Sequence, residues 1–240
     1  MNKITTLLFD LDGTLLPMDM HYFAEQYLKR LAPKFIKFLE PKQFIAHLWS
    51  ATNAMISNNC PELDNQTVFW NHFTSLVPQP REVIEPIFDD FYTNDFQNLS
   101  SVTQPTPLAR QIIDQAVTQG FSIVLATNPV FPAVATQERM RWAGIADHPW
   151  ALVTTYENSR FCKPNLNYFL DILKYLGRQP EECLMIGNDM QEDMCASRLG
   201  MDTFLVTNCL IDQGKPRYIP TAQGSLDDLS QYIADLGQRR

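Results

Sequence analysis

The sequence is poor in the features that mark several common classes of protein. None of its apolar runs approaches the roughly 20 residues that a helix needs to cross a bilayer, so we expect no membrane span. Its five cysteines and four histidines show no close, ligand-like spacing, which argues against a zinc or redox site. An odd number of scattered cysteines is typical of reduced thiols. The first residues lack the pattern of a secretory signal, and we therefore expect a soluble, cytoplasmic protein.

Positive charge is also scarce. The 240 residues include 27 acidic and 19 basic side chains, which gives a net charge of −8. Such a surface repels nucleic acid and anionic membranes, so neither is an expected partner. A small anionic substrate would therefore need a local cationic site. Hydrophobic residues make up 45% of the chain and charged residues 19%, which is the balance of an ordinary globular protein.

What the sequence does contain is a regular alternation of short apolar runs and amphipathic segments. The apolar runs are followed by polar residues or glycine, as expected for strands buried in a parallel sheet. Repeated strand–helix units of this kind predict an α/β fold with a doubly wound parallel sheet. The predicted strands are residues 5–9, 121–126, 151–153, 183–186 and 203–206, and the predicted helices are residues 107–119, 132–142, 164–176, 191–199 and 225–236.

Residues 18–101 follow a different pattern. Apolar residues recur there at helical spacing, and several prolines divide the segment. We predict about four helices, inserted between the first strand and the rest of the sheet. Trp49, Trp70 and the phenylalanines of this segment are expected to form its core.

Acidic side chains follow two of the predicted strands. Asp10 and Asp12 stand two apart after the first strand, so an extended backbone would point both carboxylates the same way. Asp189 and Asp193 are four apart at the start of a predicted helix and would share one face of it. Ligands bind at the carboxyl ends of the strands in such sheets, so these residues are expected to converge. An oxygen-only shell of carboxylates and water favours Mg²⁺ over zinc or copper.

Three further polar residues come after other strands of the predicted sheet. Thr127 and Asn128 offer a hydroxyl and an amide that suit a phosphoryl oxygen, and Lys163 offers a positive charge beside a helix start. Each of them, taken alone, fits an ordinary turn or surface residue better. Their order along the chain, together with the aspartates, favours a phosphate site.

This ordered set of residues resembles the motifs of the haloacid dehalogenase superfamily, and the resemblance extends over the whole chain. The inserted helices occupy a position similar to that of the family's first-class (C1) cap. The resemblance implies a Rossmann-like core of residues 1–17 and 102–240, and a cap domain of residues 18–101. The four matching motifs are Asp10-x-Asp12-Gly13-Thr14, Thr127-Asn128, Lys163-Pro164, and Gly187-Asn188-Asp189 with Asp193.

The resemblance also implies catalytic roles. Asp10 would attack phosphorus, while Asp12 would protonate the leaving oxygen and then activate water. The phosphoryl oxygens would be held by Thr127, Asn128 and Lys163. A carboxylate nucleophile divides the hydrolysis into two easier steps, and a nearby cation offsets its repulsion by the phosphate.

A magnesium ion is implied by the same resemblance. It would be bound by Asp10, by the backbone carbonyl of Asp12 and by Asp189, with Asp193 holding a metal-bound water. Many members carry an acidic residue where this chain has Asn188, so the resemblance leaves the completion of the metal shell open.

We therefore predict a magnesium-dependent phosphohydrolase that cleaves a small phosphate monoester through an aspartyl-phosphate intermediate. Asp12 separates the chain from the dehalogenases themselves, whose first motif lacks this residue. A phosphomutase would share every core residue, and a non-catalytic phosphate-binding protein on the same fold is a further alternative. The identity of the phosphorylated metabolite and the oligomeric state stay open.

Overall fold

The computed structural model describes residues 3–238 of the chain. Its centre is one sheet of six parallel strands in the spatial order β3-β2-β1-β4-β5-β6. All five predicted strands are present, and an edge strand that the sequence analysis missed is added. The strands are β1 (Thr6–Phe9), β2 (Ser122–Leu125), β3 (Leu152–Val153), β4 (Cys183–Gly187), β5 (Asp202–Val206) and the missed β6 (Ala222–Gly224).

The register of the three central strands places their carboxyl ends next to one another at the same edge of the sheet. Phe9, the last residue of β1, pairs with Leu125 of β2 on one side and with Ile186 of β4 on the other. Every residue of β1 and β4 is buried, because helices cover both faces of a parallel sheet. The polar residues that follow these three strands therefore leave the sheet side by side.

An insertion of helices, residues 20–102, lies between β1 and the next core helix. The sequence predicts about four helices here, and four α-helices are found. Phenylalanine side chains of this insertion pack together, and the rings of Phe35, in the turn after the first helix, and Phe44, in the second helix, are stacked 4.3 Å apart. The helices are α1 (Met20–Leu31), α2 (Pro41–Ile56), α3 (Asn65–Leu76) and α4 (Arg81–Asp90), after which the chain continues through a π-helical turn (Phe91–Asp95) and a 3₁₀ segment (Phe96–Val102).

The two crossings between the insertion and the sheet run side by side. Met18 and Thr103 form an antiparallel bridge, and the Gln104 N–H donates to the Pro17 carbonyl at 2.8 Å. At its other end the insertion touches the core again, where the Asn65 N–H donates to the Ser159 carbonyl at 2.8 Å. Of the two predicted domain boundaries, 17/18 lies at the first of these contacts and 101/102 lies just before it in the sequence. The division into two domains stays a prediction. Residues 1–2 and 239–240 of the predicted core lie outside the described part.

The helices around the sheet begin and end close to their predicted bounds. Side-chain caps fix two of their starts: Thr106 accepts from the Leu108 N–H and Asn165 from the Asn167 N–H. Across residues 3–238, no helix is long and apolar enough to span a membrane. The four helices are α5 (Pro107–Thr118), α6 (Ala133–Trp142), α7 (Leu166–Leu176) and α8 (Leu226–Gln238).

One predicted helix, residues 191–199, is wrong in type and in starting point. A turn follows β4, and only a 3₁₀ helix forms, over Met194–Leu199. The Asp189 carboxylate accepts the N–H groups of Gln191 and Glu192, as a helix cap does, but residues 191–193 continue as a turn and not as an α-helix. Asp189 and Asp193 therefore do not share a helix face, and a different geometry brings them together.

Candidate active site

A buried lysine stands at the centre of the polar cluster above the strand ends. Lys163 Nζ donates to Asp10 Oδ1 at 2.8 Å and to Asp193 Oδ1 at 2.6 Å, and the lysine side chain is 1% exposed. Burial alone would lower the pKa of Lys163, but the two carboxylates outweigh it and hold that pKa well above its usual value. The cluster thus keeps one fixed positive charge between two acidic side chains.

The carboxylate of Asp10 is oriented from its other side by Thr14. The Thr14 hydroxyl lies 3.2 Å from Asp10 Oδ2 and 2.9 Å from Asn188 Oδ1, and it can donate to either oxygen. Asn188 Nδ2 donates in turn to the Cys209 carbonyl at 2.7 Å, so the Asn188 amide is held in place. Gly13 has a φ of +81°, and a Cβ at this position would come within 2.4 Å of Asn188 Nδ2. Only glycine satisfies both requirements.

Asp12 has a partner that the sequence analysis missed. The guanidinium of Arg139, which is wholly buried on α6, binds Asp12 Oδ2 and lies over the ring of Phe131 at 4.5 Å. Burial raises the pKa of Asp12, with Arg139 acting in the opposite direction. The other oxygen, Oδ1, is buried without a hydrogen-bond partner, so it is the one free to meet a ligand.

A weak signal for Arg139 does exist in the sequence. It stands four residues after Ala135 and three after Thr136, both of which are buried on α6. An arginine on the buried stripe of a helix needs an acidic partner. Periodicity cannot say which acid that is, because Asp12 is distant in the sequence.

Asp189 and Asp193 meet through the backbone rather than along a helix. The Asp189 N–H donates to Asp193 Oδ2 at 3.0 Å, while the other oxygen of Asp193 receives Lys163. A Cβ on Gly187 would come within 2.0 Å of Asp193 Oδ2, so the strand must end in glycine for this carboxylate to reach the cluster. Burial raises the pKa of Asp193, and Lys163 opposes that rise.

Thr127 and Asn128 form the start of the loop after β2, and Asn128 contacts the backbone of Lys163. The Thr127 carbonyl accepts from the Tyr168 hydroxyl at 2.9 Å, which fixes the end of β2. Asn128 Oδ1 accepts from the Lys163 N–H at 3.2 Å, and its Nδ2 donates to Glu192 Oε2 at 2.9 Å. The Asn128 amide thus ties neighbouring loops together, and its predicted contact with a phosphoryl oxygen stays a prediction.

The oxygen donors in this cluster fit a magnesium ion. Asp10 and Asp189 offer carboxylates and Asp12 a backbone carbonyl, which are the hard ligands that Mg²⁺ prefers. Within residues 3–238 no three His, Cys, Asp or Glu side chains gather closely enough to form a complete metal cage. Mg²⁺ commonly binds one or two carboxylates and keeps places for water and substrate phosphate, so this donor set suits it.

Comparison with known proteins now adds independent information. A family model described as haloacid dehalogenase-like hydrolase matches residues 4–198. The chain belongs to this family. The match extends from β1 to the 3₁₀ helix after β4 and so includes all four predicted motifs.

Two curated relatives of this haloacid dehalogenase-like hydrolase have names that state an activity. It is 26% identical to a phosphoglycolate phosphatase of Vibrio vulnificus over 215 residues, which are 85% of this chain and 84% of that protein. It is also 26% identical to a glyceraldehyde 3-phosphate phosphatase of Methanothermobacter thermautotrophicus over 113 residues, 47% of this chain and 49% of that one. The predicted superfamily is confirmed, and both relatives support an enzyme of the phosphatase type.

Solved structures agree on the fold. A phosphatase of the same superfamily from Thermococcus onnurineus superposes with a TM-score of 0.59 at 18% identity, covering 96% of this chain and 98% of that one. A 2-haloacid dehalogenase from Pseudomonas syringae superposes with a TM-score of 0.60 at 18% identity, covering 97% of this chain and 99% of that one. At such identities the likeness concerns the fold alone, and it confirms the predicted α/β class.

Proposed function

We propose that the protein hydrolyses phosphate monoesters of small molecules, with Asp10 as the nucleophile and Mg²⁺ as the cofactor. The observation that carries the proposal is the buried Lys163 hydrogen-bonded to Asp10 Oδ1. A carboxylate approaching a phosphate dianion meets strong repulsion, and a fixed cation beside it offsets that repulsion. A lysine buried between two carboxylates is otherwise a costly arrangement, which argues for a functional role.

In the first step Asp10 attacks phosphorus, forming an Asp10–phosphorus bond as the bond from phosphorus to the ester oxygen breaks. Asp12 gives a proton to the departing oxygen, and its free Oδ1 supports this role. In the second step Asp12 takes a proton from water, which attacks phosphorus and releases Asp10 and inorganic phosphate. Thr127 and Lys163 hold the phosphoryl oxygens throughout.

The magnesium ion would be held by Asp10, the Asp12 carbonyl and Asp189. Asp193 supports the site by binding both Lys163 and the backbone of Asp189. When bound, the ion supplies positive charge that neutralises the phosphoryl group and the leaving oxygen. Asn188 stands where the resemblance to the superfamily leads us to expect an acid, and its hydrogen bonds to Thr14 and Cys209 suit a neutral structural role.

The relatives support a small phosphorylated metabolite as the substrate, because the names of both state a small phosphate ester. A phosphomutase would use the same residues and would differ only in the fate of the phosphoryl group. No feature of the site favours it, and release of inorganic phosphate distinguishes the two.

The test is a screen of phosphate monoesters with the purified protein, measuring inorganic phosphate. We expect turnover with Mg²⁺ and loss of turnover in excess chelator. Asp10→Asn should lower kcat by several orders of magnitude, because an amide is not a competent nucleophile. Asp147→Asn, an exposed carboxylate bound to Arg110, is the matched control and should retain full activity. Residual activity in Asp10→Asn above about a tenth would refute the role of Asp10.

A further inference from the structure

A cavity of about 230 Å³ lies between the helical insertion and the core loop after β2. We call it the aromatic cavity. Helices α1 to α4 form one wall, and the loops after β2 and β3 form the other. Its most characteristic lining residues are Tyr27, Trp49, Phe69, Trp70, Phe131 and Tyr156.

The aromatic cavity adjoins the catalytic cluster through two of its lining residues. Asn128 lines it, and the Asn128 amide binds the backbone of Lys163. Phe131 also lines it, and its ring lies against Arg139, which holds Asp12. A phosphate at Asp10 would therefore leave its ester group close to the mouth of this cavity.

The lining provides no cationic side chain for an anionic leaving group. No lysine, arginine or histidine is among the described residues that line the cavity, and its single ionisable acid is the exposed Asp89. A carboxylate on the leaving group would lose water here without a free cationic partner, because the guanidiniums behind the rings of Trp70 and Phe131, those of Arg81 and Arg139, are already paired with Glu85 and Asp12. A neutral leaving group avoids this cost.

The volume and the aromatic lining favour a ring. An apolar cavity of about 150 Å³ can hold benzene, so this larger one has room for a substituted ring. The Trp49 side chain is 45% exposed, although the sequence analysis expects it in the core of the insertion. It lines the cavity instead and presents an aromatic surface that a ring can cover. The hydroxyls of Tyr27 and Tyr92, 2.8 Å apart, offer a hydrogen bond to a neutral polar substituent.

We propose that the aromatic cavity binds the leaving group of the substrate and that this group is an uncharged aromatic ring system. The proposal rests on the proposed phosphatase function, which supplies the phosphate held at Asp10. It assigns this chain a substrate class different from the phosphoglycolate in the name of its relative, since glycolate carries a carboxylate and no ring.

The test compares benzyl phosphate with phosphoglycolate, since both are esters of unactivated primary alcohols. A nucleoside 5′-monophosphate is a third substrate, and acetyl phosphate serves as a small activated reference without a ring. Burial of one ring predicts a kcat/KM for benzyl phosphate about 10- to 100-fold above that for phosphoglycolate. A higher value for the nucleoside monophosphate than for benzyl phosphate would support the proposal and identify the ring as a nucleobase.

Two variants of α2 probe the cavity directly. Trp49→Ala should lower kcat/KM for benzyl phosphate by about tenfold more than for phosphoglycolate, chiefly through KM. Thr52→Arg places a cation in the lining and should shift the preference toward phosphoglycolate. Tyr22→Ala removes an exposed aromatic residue that does not line the cavity, and it should leave the ratio of the two substrates unchanged.

The outcomes separate this proposal from the proposed function. Hydrolysis of acetyl phosphate with no preference for ring-bearing esters over phosphoglycolate would overturn the proposal and leave the phosphatase intact. If no ester is hydrolysed, a binding measurement replaces the kinetic one: benzyl alcohol should change the tryptophan fluorescence of the parent protein saturably and at lower concentration than that of Trp49→Ala, in which Trp70 still reports, whereas glycolate should have no effect. Absence of a saturable change with benzyl alcohol would overturn the proposal in that case.

Discussion

We expect the ion pair between Arg139 and Asp12 to contribute substantially to the free energy of unfolding. Arg139→Met removes the cation, keeps much of the side-chain volume and leaves the Asp12 carboxylate largely buried, its side chain 13% exposed. Two unit charges roughly 4 Å apart attract by about 4 kcal/mol at an effective dielectric constant of about 20. Breaking a buried pair by removing one partner typically costs about 3–5 kcal/mol. Because Asp12 can take up a proton or meet some solvent, we expect Arg139→Met to lose about 2–4 kcal/mol.

A double-mutant cycle with Asp12→Asn separates the ion pair from the lost packing. Urea unfolding of the parent, both single variants and the double variant should be followed at pH 8 without added divalent cation. We expect a coupling free energy of at least about 2 kcal/mol, because the two single variants each leave one buried group unpaired and the double variant leaves neither charge. Arg110→Met removes the arginine of an exposed pair and should lower the free energy of unfolding far less.

The result that would refute this reasoning is additivity. Independent sites add to within about 0.5 kcal/mol, so a coupling below that value would mean that Arg139 stabilises α6 through packing alone. Additivity would also mean that Arg139 does not position the carboxylate of Asp12.

Two other predictions concern steric fit and thiol reactivity. Gly187→Ala should reduce activity at least tenfold and lower the melting temperature, because its Cβ would come within 2.0 Å of Asp193 Oδ2; retention of both properties would contradict the tight contact. Iodoacetamide at pH 8 should label the half-buried Cys60 and spare Cys162 and Cys195, since burial raises the pKa of both thiols to about 12. Peptide mass spectrometry of native and denatured samples measures this, and rapid native labelling of Cys162 would be the opposite result.

The position of the candidate site could be predicted because it depends on rules that act along the chain. Short buried strands and the parallel order of the sheet bring strand ends together, so residues after β1, β2 and β4 had to meet. Asp10 and Lys163 lie 153 positions apart in the sequence, and they meet because the loop after β3 carries Lys163 back across β2 to the end of β1. Both glycines leave room for a side chain of the cluster: Asn188, after the neighbouring strand β4, occupies the space beside Gly13, and Asp193, in the turn after β4 itself, occupies the space beside Gly187.

Three features of the structure could not be predicted from the local pattern of the sequence. Residues 191–199 have helical spacing, but Asp193 bonds Lys163 and the Asp189 N–H, and the chain there forms a turn and a 3₁₀ helix; spacing along the sequence carries no information on such contacts. Trp49 follows the apolar periodicity of α2, but the helix faces a cavity at that point rather than another helix. The edge strand β6 is short and contains glutamine and glycine, so it lacks the apolar run that marks the central strands.

The paired crossings at Pro17 and Gln104 have a consequence for how this chain could be rebuilt. Because the two segments are hydrogen-bonded to each other, the sheet meets the whole insertion as a loop that is already closed at its base. The entropic cost of closing a loop grows only slowly with its length, so the loop-closure contribution to the stability of the sheet depends little on the length of the insertion. Any compact module whose ends lie one strand spacing apart could be grafted there. Exchange of the inserted module at this base could change the substrate selectivity of the catalytic centre without any change in the strands of the sheet.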